Sequence, residues 1–231
     1  MAGRTVVLTD IPFELSSETL VDRVRVKAGT ADATELGALV ERARGIGRPK
    51  AMVRECFIEG RGDDTVTLDR ITFTSRTLRH ALDRVERVFP FIATCGHEMD
   101  LVALPADDLL SGFWWDTIKA VMLGFAIDHL ERHLAGTFGL GRTATMSPGE
   151  GDVRLWPIEQ QRDLFAVLGD VKMQIGVVLT DSMLMIPNKT RSGILFPSEV
   201  EFHTCQLCPR QDCPARRTSF DRELWEGIQH G

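Results

Sequence analysis

Ser147-Pro-Gly-Glu-Gly-Asp152, running on through Trp156-Pro-Ile-Glu-Gln-Gln161 to Leu164-Phe165, is the stretch on which the reading of this chain turns. One proline and two glycines set a tight loop. Pro157 stands where a helix can begin, because the N–H it lacks is one that a helix start leaves unpaired anyway. The loop therefore brings backbone N–H groups and two carboxylates, Glu150 and Asp152, to one helix entrance. Such N–H groups can meet a ligand carboxylate, and the acidic side chains attract a ligand cation. The same residues also suit a solvated turn in which Asp152 bonds back to its own backbone.

Outward from the loop, the segment from Phe113 to Leu134 has the periodicity of a long helix. Gly124 lowers its local propensity by about 1 kcal/mol and suggests a closely packed neighbour. Ser16-Ser17 can cap a helix carrying Leu20, Val21 and Val24, and Thr34 a second one, ended by Gly45 and Gly47. Met52 to Ile58 and Val66 to Phe73 read as two strands joined by Gly60-Arg-Gly-Asp-Asp64. A helix with Leu78, Leu82, Val85 and Val88 on one face follows, then a buried strand from Phe89 to Thr94. Beyond the loop come a helix from Ile158 to Leu168 and strands at Ile175–Thr180 and Gly193–Phe196. Helices and strands cluster rather than alternate, which favours an α+β fold over a doubly wound sheet. A single body over residues 1–200 is expected, with residues 201–231 as a Cys-rich appendage.

A chain of 231 residues and 25.8 kDa, 43% hydrophobic and 26% charged, can bury a sizeable core. Its net charge of −6 argues against a broad nucleic-acid-binding surface. No apolar run approaches the roughly 20 residues needed to span a bilayer, and the N-terminal stretch lacks a secretory apolar region. Five cysteines, an odd number, fit a reducing compartment, so a cytoplasmic location is expected.

Three of those cysteines form the pattern His203-x-Cys205-x2-Cys208-x4-Cys213. Soft thiolates at this spacing suit zinc, with His203 as the fourth ligand, or an iron–sulfur cluster completed by Cys95 or an external ligand. A redox-sensitive pair or unligated thiols would carry the same sequence. His129 and His133 stand four apart on the long helix without a visible third ligand, which reads as an ordinary amphipathic face. Trp114-Trp115 reads as core, as do Cys56 and Cys95. Arg210, Arg216 and Arg217 make the tail basic, suited either to an acidic partner or to solvent.

Taken in order, six pieces of the chain resemble the reactivation domain of cobalamin-dependent methionine synthase in a short free-standing form. They are Val88-Phe-Pro-Phe-Ile-Ala-Thr-Cys-Gly96, the helix from Trp115 to Leu134 with Asp116, Asp128 and Glu131, and the Ser-Pro-Gly loop with its Trp-Pro. Ile175-Gly-Val-Val-Leu-Thr180, Met185-Ile-Pro187 and Lys189-Thr-Arg-Ser-Gly193 follow. The resemblance implies a large, twisted, mainly antiparallel sheet carrying helices. It also implies S-adenosylmethionine as ligand and a partner-bound cobalamin. The partner would be a corrinoid protein, or a methionine synthase lacking its own reactivation domain, with neither nucleic acid nor membrane involved. The implied ligand contacts are Ser147, Pro148, Gly149, Glu150, Gly151 and Asp152, with Ser192 and Gly193 next to the nucleoside and Leu195 and Phe196 as an apolar wall. An ordinary core strand would have the same alternation as that wall.

This family rescues a corrinoid that has lost an electron. It holds the S-methyl group of S-adenosylmethionine against cobalt, so that the rare reduced state is trapped by methyl transfer. The protein supplies proximity and orientation, worth about 7–11 kcal/mol in well-aligned cases, while the cofactors carry the chemistry. Large methionine synthases have an arginine before the loop and a tyrosine after its Pro-Gly. Aligned on Pro148-Gly149, this chain has Thr145 and Glu150 there, and it contains no tyrosine. Weak ligand affinity is therefore expected, with Arg142 or Arg154 compensating in part. Two other functions fit the residues: a corrinoid-protein binding module with a structural zinc tail, and an iron–sulfur electron donor for corrinoid demethylases.

Overall fold

In the computed structural model, which describes residues 3–152, 154–199, 202–214 and 216–230, the apolar run Arg87–Thr94 (β6) is the middle of an eight-stranded antiparallel sheet. Lys50–Arg54 (β2) and Cys56–Arg61 (β3) lie end to end along one edge of β6, Met52 opposite Ile92 and Cys56 opposite Val88. Thr190–Pro197 (β10) runs along the other edge, with Gly193 opposite Phe91. Thr5–Leu8 (β1) extends the sheet beyond β2, and Thr143–Met146 (β7) extends it beyond β10. Thr65–Leu68 (β4) and Ile71–Thr74 (β5) complete it beyond β3.

Alternation along β6 decides which helices lie on which face. Phe89, Phe91 and Ala93 pack on the long helix Leu109–Phe138 (α4), through Ala126, Leu130 and Leu134. Ile92 faces the other way, onto Gln161–Leu168 (α5) and Val171–Ile175 (α6). The N-terminal half of α4 leaves the sheet and packs on Ser17–Val24 (α1) and Ala31–Ile46 (α2), through Trp114, Trp115, Ile118 and Met122. The result is the α+β body expected from the clustering of elements. No helix among the described residues is long and apolar enough to cross a membrane.

Several boundaries differ from the sequence reading, each for a local reason. The second helix is capped by Thr30, whose hydroxyl accepts from the N–H of Ala33, so Thr34 lies inside it. Val66 to Phe73 is not one strand: Asp69 and Arg70 both have positive φ (47° and 66°) and make a two-residue hairpin. No glycine or asparagine marks that turn; Arg54 instead holds the Asp69 carboxylate at 2.7 Å, and the N–H of Arg70 donates to Glu59. Met52 to Ile58 likewise divides at Glu55. The helix after β5 is only Arg76–Ala81 (α3), and Val88 belongs to β6. Ile175 ends α6, leaving Val178–Leu179 (β8) as a short strand paired with Met185–Ile186 (β9). Gly124 faces open space, so no close neighbour explains it.

The boundary expected at residue 201 lies outside the described residues. The tail beyond it is folded onto the body. Leu207, Cys208 and Ile228 cluster with Leu155, and Arg222–His230 (α7) lies against α3.

Candidate functional site

Trp156 anchors the Ser-Pro-Gly loop. Its ring is fully buried and meets Phe73 edge-on at 5.8 Å, an arrangement worth about 0.5–1.5 kcal/mol beyond area burial. Its N–H donates to Gln160, which also bridges to both backbone groups of Thr74. With that end fixed, the N–H of Gly149 donates to the Trp156 carbonyl at 2.8 Å and the loop doubles back. Gly149 (φ 76°) packs so closely on Ile158 that a Cβ there would lie 2.9 Å from that side chain. At the other end, Gly193 lets β10 approach β7: a Cβ would stand 2.6 Å from the Met146 carbonyl and 2.9 Å from Ser147 Oγ.

A cleft of about 170 Å³ opens beside this loop, lined by Glu131 of α4, Thr145 of β7, Glu150, Arg191 of β10, and His203, Cys205 and Arg217 of the tail, among others. Thr145 and Glu150, the two positions at which the sequence departs from the pattern it resembles, thus both border it. One oxygen of Glu150, Oε2, is buried without a hydrogen-bond partner among the described residues. An unpaired buried carboxylate oxygen is costly, so this atom fits a cationic donor from a ligand. The Arg191 and Arg217 side chains make no hydrogen bond or ion pair with a described residue, which leaves both guanidinium groups available. Glu131 is exposed as a residue, yet loss of water around its carboxyl pushes its pKa above the ordinary range. Asp128 adds to that rise, while Arg191 and Arg217 oppose it.

A second cleft of about 250 Å³ adjoins the first, sharing Glu131 and Thr143, and is lined by Leu134, Ala135, Leu140 and Leu195. One polar arm and one apolar arm therefore meet at the same carboxylate. The polar arm alone is smaller than the roughly 300–1,000 Å³ of sites that enclose a drug-sized ligand. An elongated molecule with a charged head would occupy both arms.

The remaining residues expected at the site fall elsewhere. Asp152 is held by Arg154, Nε to Oδ1 and Nη2 to Oδ2 at 2.8 Å each, while the Arg154 N–H donates to Oδ1. Arg154 thereby lowers the Asp152 pKa to about 2. Leu195 faces the apolar arm, whereas Phe196 points to the other side of β10 and packs with Trp156 and Ile194 in the core. Ser192, on that same opposite side, is buried and bonds Gln161 at 3.3 Å. Ser147 Oγ is buried next to Gly193 without a partner among the described residues, and Pro148 is buried as well. Gly151 (φ 82°) lies against Leu155, Thr204 and Cys208, so the tail packs directly on the loop.

His203, Cys205, Cys208 and Cys213 do not come together as a ligand set. Among the described residues no group of three or more His, Cys, Asp or Glu side chains is arranged to hold a metal. The His203 carbonyl accepts from the Gln206 N–H across the 3-10 turn Thr204–Leu207, while the Gln206 side chain accepts from the His203 N–H. Cys208 is buried among Leu155, Leu207 and Ile228. Arg216 organises the Cys-rich loop, donating to the carbonyls of Cys205, Cys208, Arg210 and Thr218. Cys95, the alternative fourth ligand, is buried beside Met99 and Trp115, and burial pushes its pKa up to about 12.

Sequence reasoning missed Glu131, Arg191 and Arg217 as site residues. A usable signal existed for one of them. Arg191, Gly193 and Leu195 share one face of β10, so an apolar wall at Leu195 implied a charge at Arg191 beside it. Arg217 reaches the cleft only because the tail folds back, which no local pattern announces.

No protein-family model matches the chain, and no curated protein does. A solved structure does: the MetH reactivation domain bound to AdoHcy is similar to it with a TM-score of 0.55 and 14% identity, over 87% of this chain and 80% of that one. The eight-stranded sheet, the long helix and the loop region described above therefore make up the fold of that reactivation domain.

Proposed function

We propose that this chain is a reactivation subunit for a corrinoid-dependent methyltransferase, with methionine synthase lacking its own reactivation domain as the first candidate partner. It would act in the cytoplasm, docking on the corrinoid and presenting S-adenosylmethionine. The observation that carries this reading is the charge layout of the cleft beside the Ser-Pro-Gly loop. Two carboxylates, Glu131 and Glu150, and two unpaired guanidinium groups, Arg191 and Arg217, face one small space. That pattern complements a zwitterionic amino-acid head, and the apolar arm at Leu134, Leu140 and Leu195 suits a less polar remainder.

Arg191 and Arg217 would take over the carboxylate-binding role of the arginine that Thr145 replaces, and Glu150 would meet the ammonium or sulfonium. A partner-bound corrinoid would supply the methyl-accepting chemistry, with the electron drawn from an external reductant. This chain's share is to bind, orient and exclude water. Residues 1–200 form the ligand-presenting body in this proposal, and residues 201–231 act as a wall of the cleft rather than as a metal site.

Calorimetry with S-adenosylmethionine and S-adenosylhomocysteine tests the binding half. Micromolar to millimolar affinity is expected, lost by about ten- to a hundredfold in Arg191→Ala as a charge-assisted bond disappears. Anaerobic titration of an inactive corrinoid protein with reductant and S-adenosylmethionine, followed by visible absorbance, tests the rest. Unchanged methylation with and without the chain would reject it.

A further inference from the structure

A separate cleft of about 670 Å³ lies where the start of β6, the start of β7 and the end of β10 converge, closed by the α3–β6 connection. Arg84, Arg87, Arg142, Asp83, Glu86 and Glu199 contribute its charge, His80 an imidazole, and Ala81, Val85 and Pro197 its apolar surface. Its volume falls within the range of small-molecule sites.

Three arginines and three carboxylates line it and balance formally, but they are not equally engaged. Asp83 is engaged by Arg79 at 2.7 Å and Glu86 by Arg61 at 3.0 Å, and neither of those arginines lines the cleft. Both carboxylates are thus paired by arginines outside the cleft. Arg84, next to Asp83 in the same connection, makes no hydrogen bond or ion pair with a described residue. Arg142 spends one N–H on the Glu199 carbonyl at 3.1 Å and keeps the rest of its fork. Arg87 is steadied over the Phe89 and Phe138 rings, and its nearest carboxylate, Glu55, is 3.5 Å away. Among the described residues the Glu199 carboxylate has no arginine partner, so Arg84 and Arg142 are the free cations of the cleft and Glu199 its free anion.

We propose that this cleft binds a phosphate-bearing small molecule of nucleotide size, independently of the cleft beside the Ser-Pro-Gly loop. Two arginine forks match phosphate oxygens in pairs, which an ammonium group would not do. The apolar surface at Ala81, Val85 and Pro197 gives a base or another flat group somewhere to rest. The volume of the hollow favours a small molecule over the acidic surface of a protein, which would need charge but no cavity.

The test is calorimetry of the full chain at low and moderate salt, with ADP and pyrophosphate as probes. The parent should bind ADP, more weakly as salt rises. Arg84→Ala combined with Arg142→Ala should weaken it by at least about tenfold, with far-ultraviolet dichroism unchanged. Arg142 lines this cleft and not the one beside the loop, so the compensation expected of it there is not available. Affinity for S-adenosylmethionine should therefore stay at the parent's level in the same variant, which separates this site from the other. Failure of both probes to bind at millimolar concentration would overturn the proposal, as would equal ADP affinity in parent and double variant. Salt-sensitive capture of polyglutamate by these arginines, with no ADP binding, would also overturn it, in favour of an acidic protein partner.

Discussion

Arg154 holds both carboxylate oxygens of Asp152 at 2.8 Å, two residues along the chain, and so closes the loop that begins at Ser147. Folding lowers the Asp152 pKa from 3.8 to about 2, mainly through this bond. The contribution is fully present above the unfolded value and disappears as pH falls through about 2. Arg154 is largely exposed, so water screens the pair and its contribution is small. Asp152→Asn should therefore lower unfolding free energy slightly at neutral pH, and the gap should close near the acid end. Urea unfolding of both proteins across acid pH checks this.

Gly193 is fixed by space rather than by an unusual φ. An added methyl would meet the Met146 carbonyl at 2.6 Å, and backbone cannot swing aside. Gly193→Ala should cost about 1–3 kcal/mol and splay β7 from β10 at the base of the cleft. Gly60→Ala is the control, since its new methyl would sit 3.8 Å from the nearest neighbour. Thermal unfolding should separate the two clearly.

The sheet and its long helix were legible because their signals are periodic: β6 is nearly all apolar, and α4 repeats its buried face from Trp114 to Leu134. The hairpin at Asp69-Arg70 was not, because tertiary ion pairing stabilises a turn that the residue types do not advertise. At the site, Glu150 could be found from its loop, but its partners come from α4, β10 and the returning tail. The Cys spacing misled in a specific way. Arg216 and the paired His203 and Gln206 already satisfy the local polar groups that a metal would otherwise help to order.

Arg216→Ala should consequently loosen the tail without unfolding the body. Removing a charged donor shared by several carbonyls costs about 1.5–3 kcal/mol locally. Hydrogen exchange should rise across residues 205–210 and stay at the parent's level in β6 and α4.

Thiol accessibility gives an independent check of the cysteine assignments. Burial pushes Cys56 and Cys95 up to about 12, so neither forms thiolate near neutrality. Cys208 is buried as well, while Cys205 and Cys213 are half-buried. Two of the five thiols should react quickly with a disulfide reagent in the native protein, and all five after unfolding. Protection of Cys205 and Cys213 that is released by a chelator would instead establish a metal on the tail.

Glu131 joins the electrostatics of the cleft to its proposed ligand. Its pKa is raised chiefly by lost hydration, so the folded chain holds this proton more tightly than the unfolded one. Ionised Glu131 therefore subtracts from stability at neutral pH, and the penalty fades as pH falls through the raised value. Glu131→Gln should be slightly more stable than the parent at neutral pH and indistinguishable from it in acid. Ligand binding should move the opposite way, because an ammonium group needs the ionised carboxylate. Affinity for S-adenosylmethionine should begin to fall while the pH is still above the ordinary carboxylate range, and Glu131→Gln should be weaker but flat across that interval. Calorimetry from about pH 8 downward reads both effects on one sample. If the parent's affinity is flat while the variant is more stable, Glu131 is a strained rim residue that does not touch the ligand. The ammonium would then rest on Glu150 alone, whose buried Oε2 makes Glu150→Gln the deciding variant.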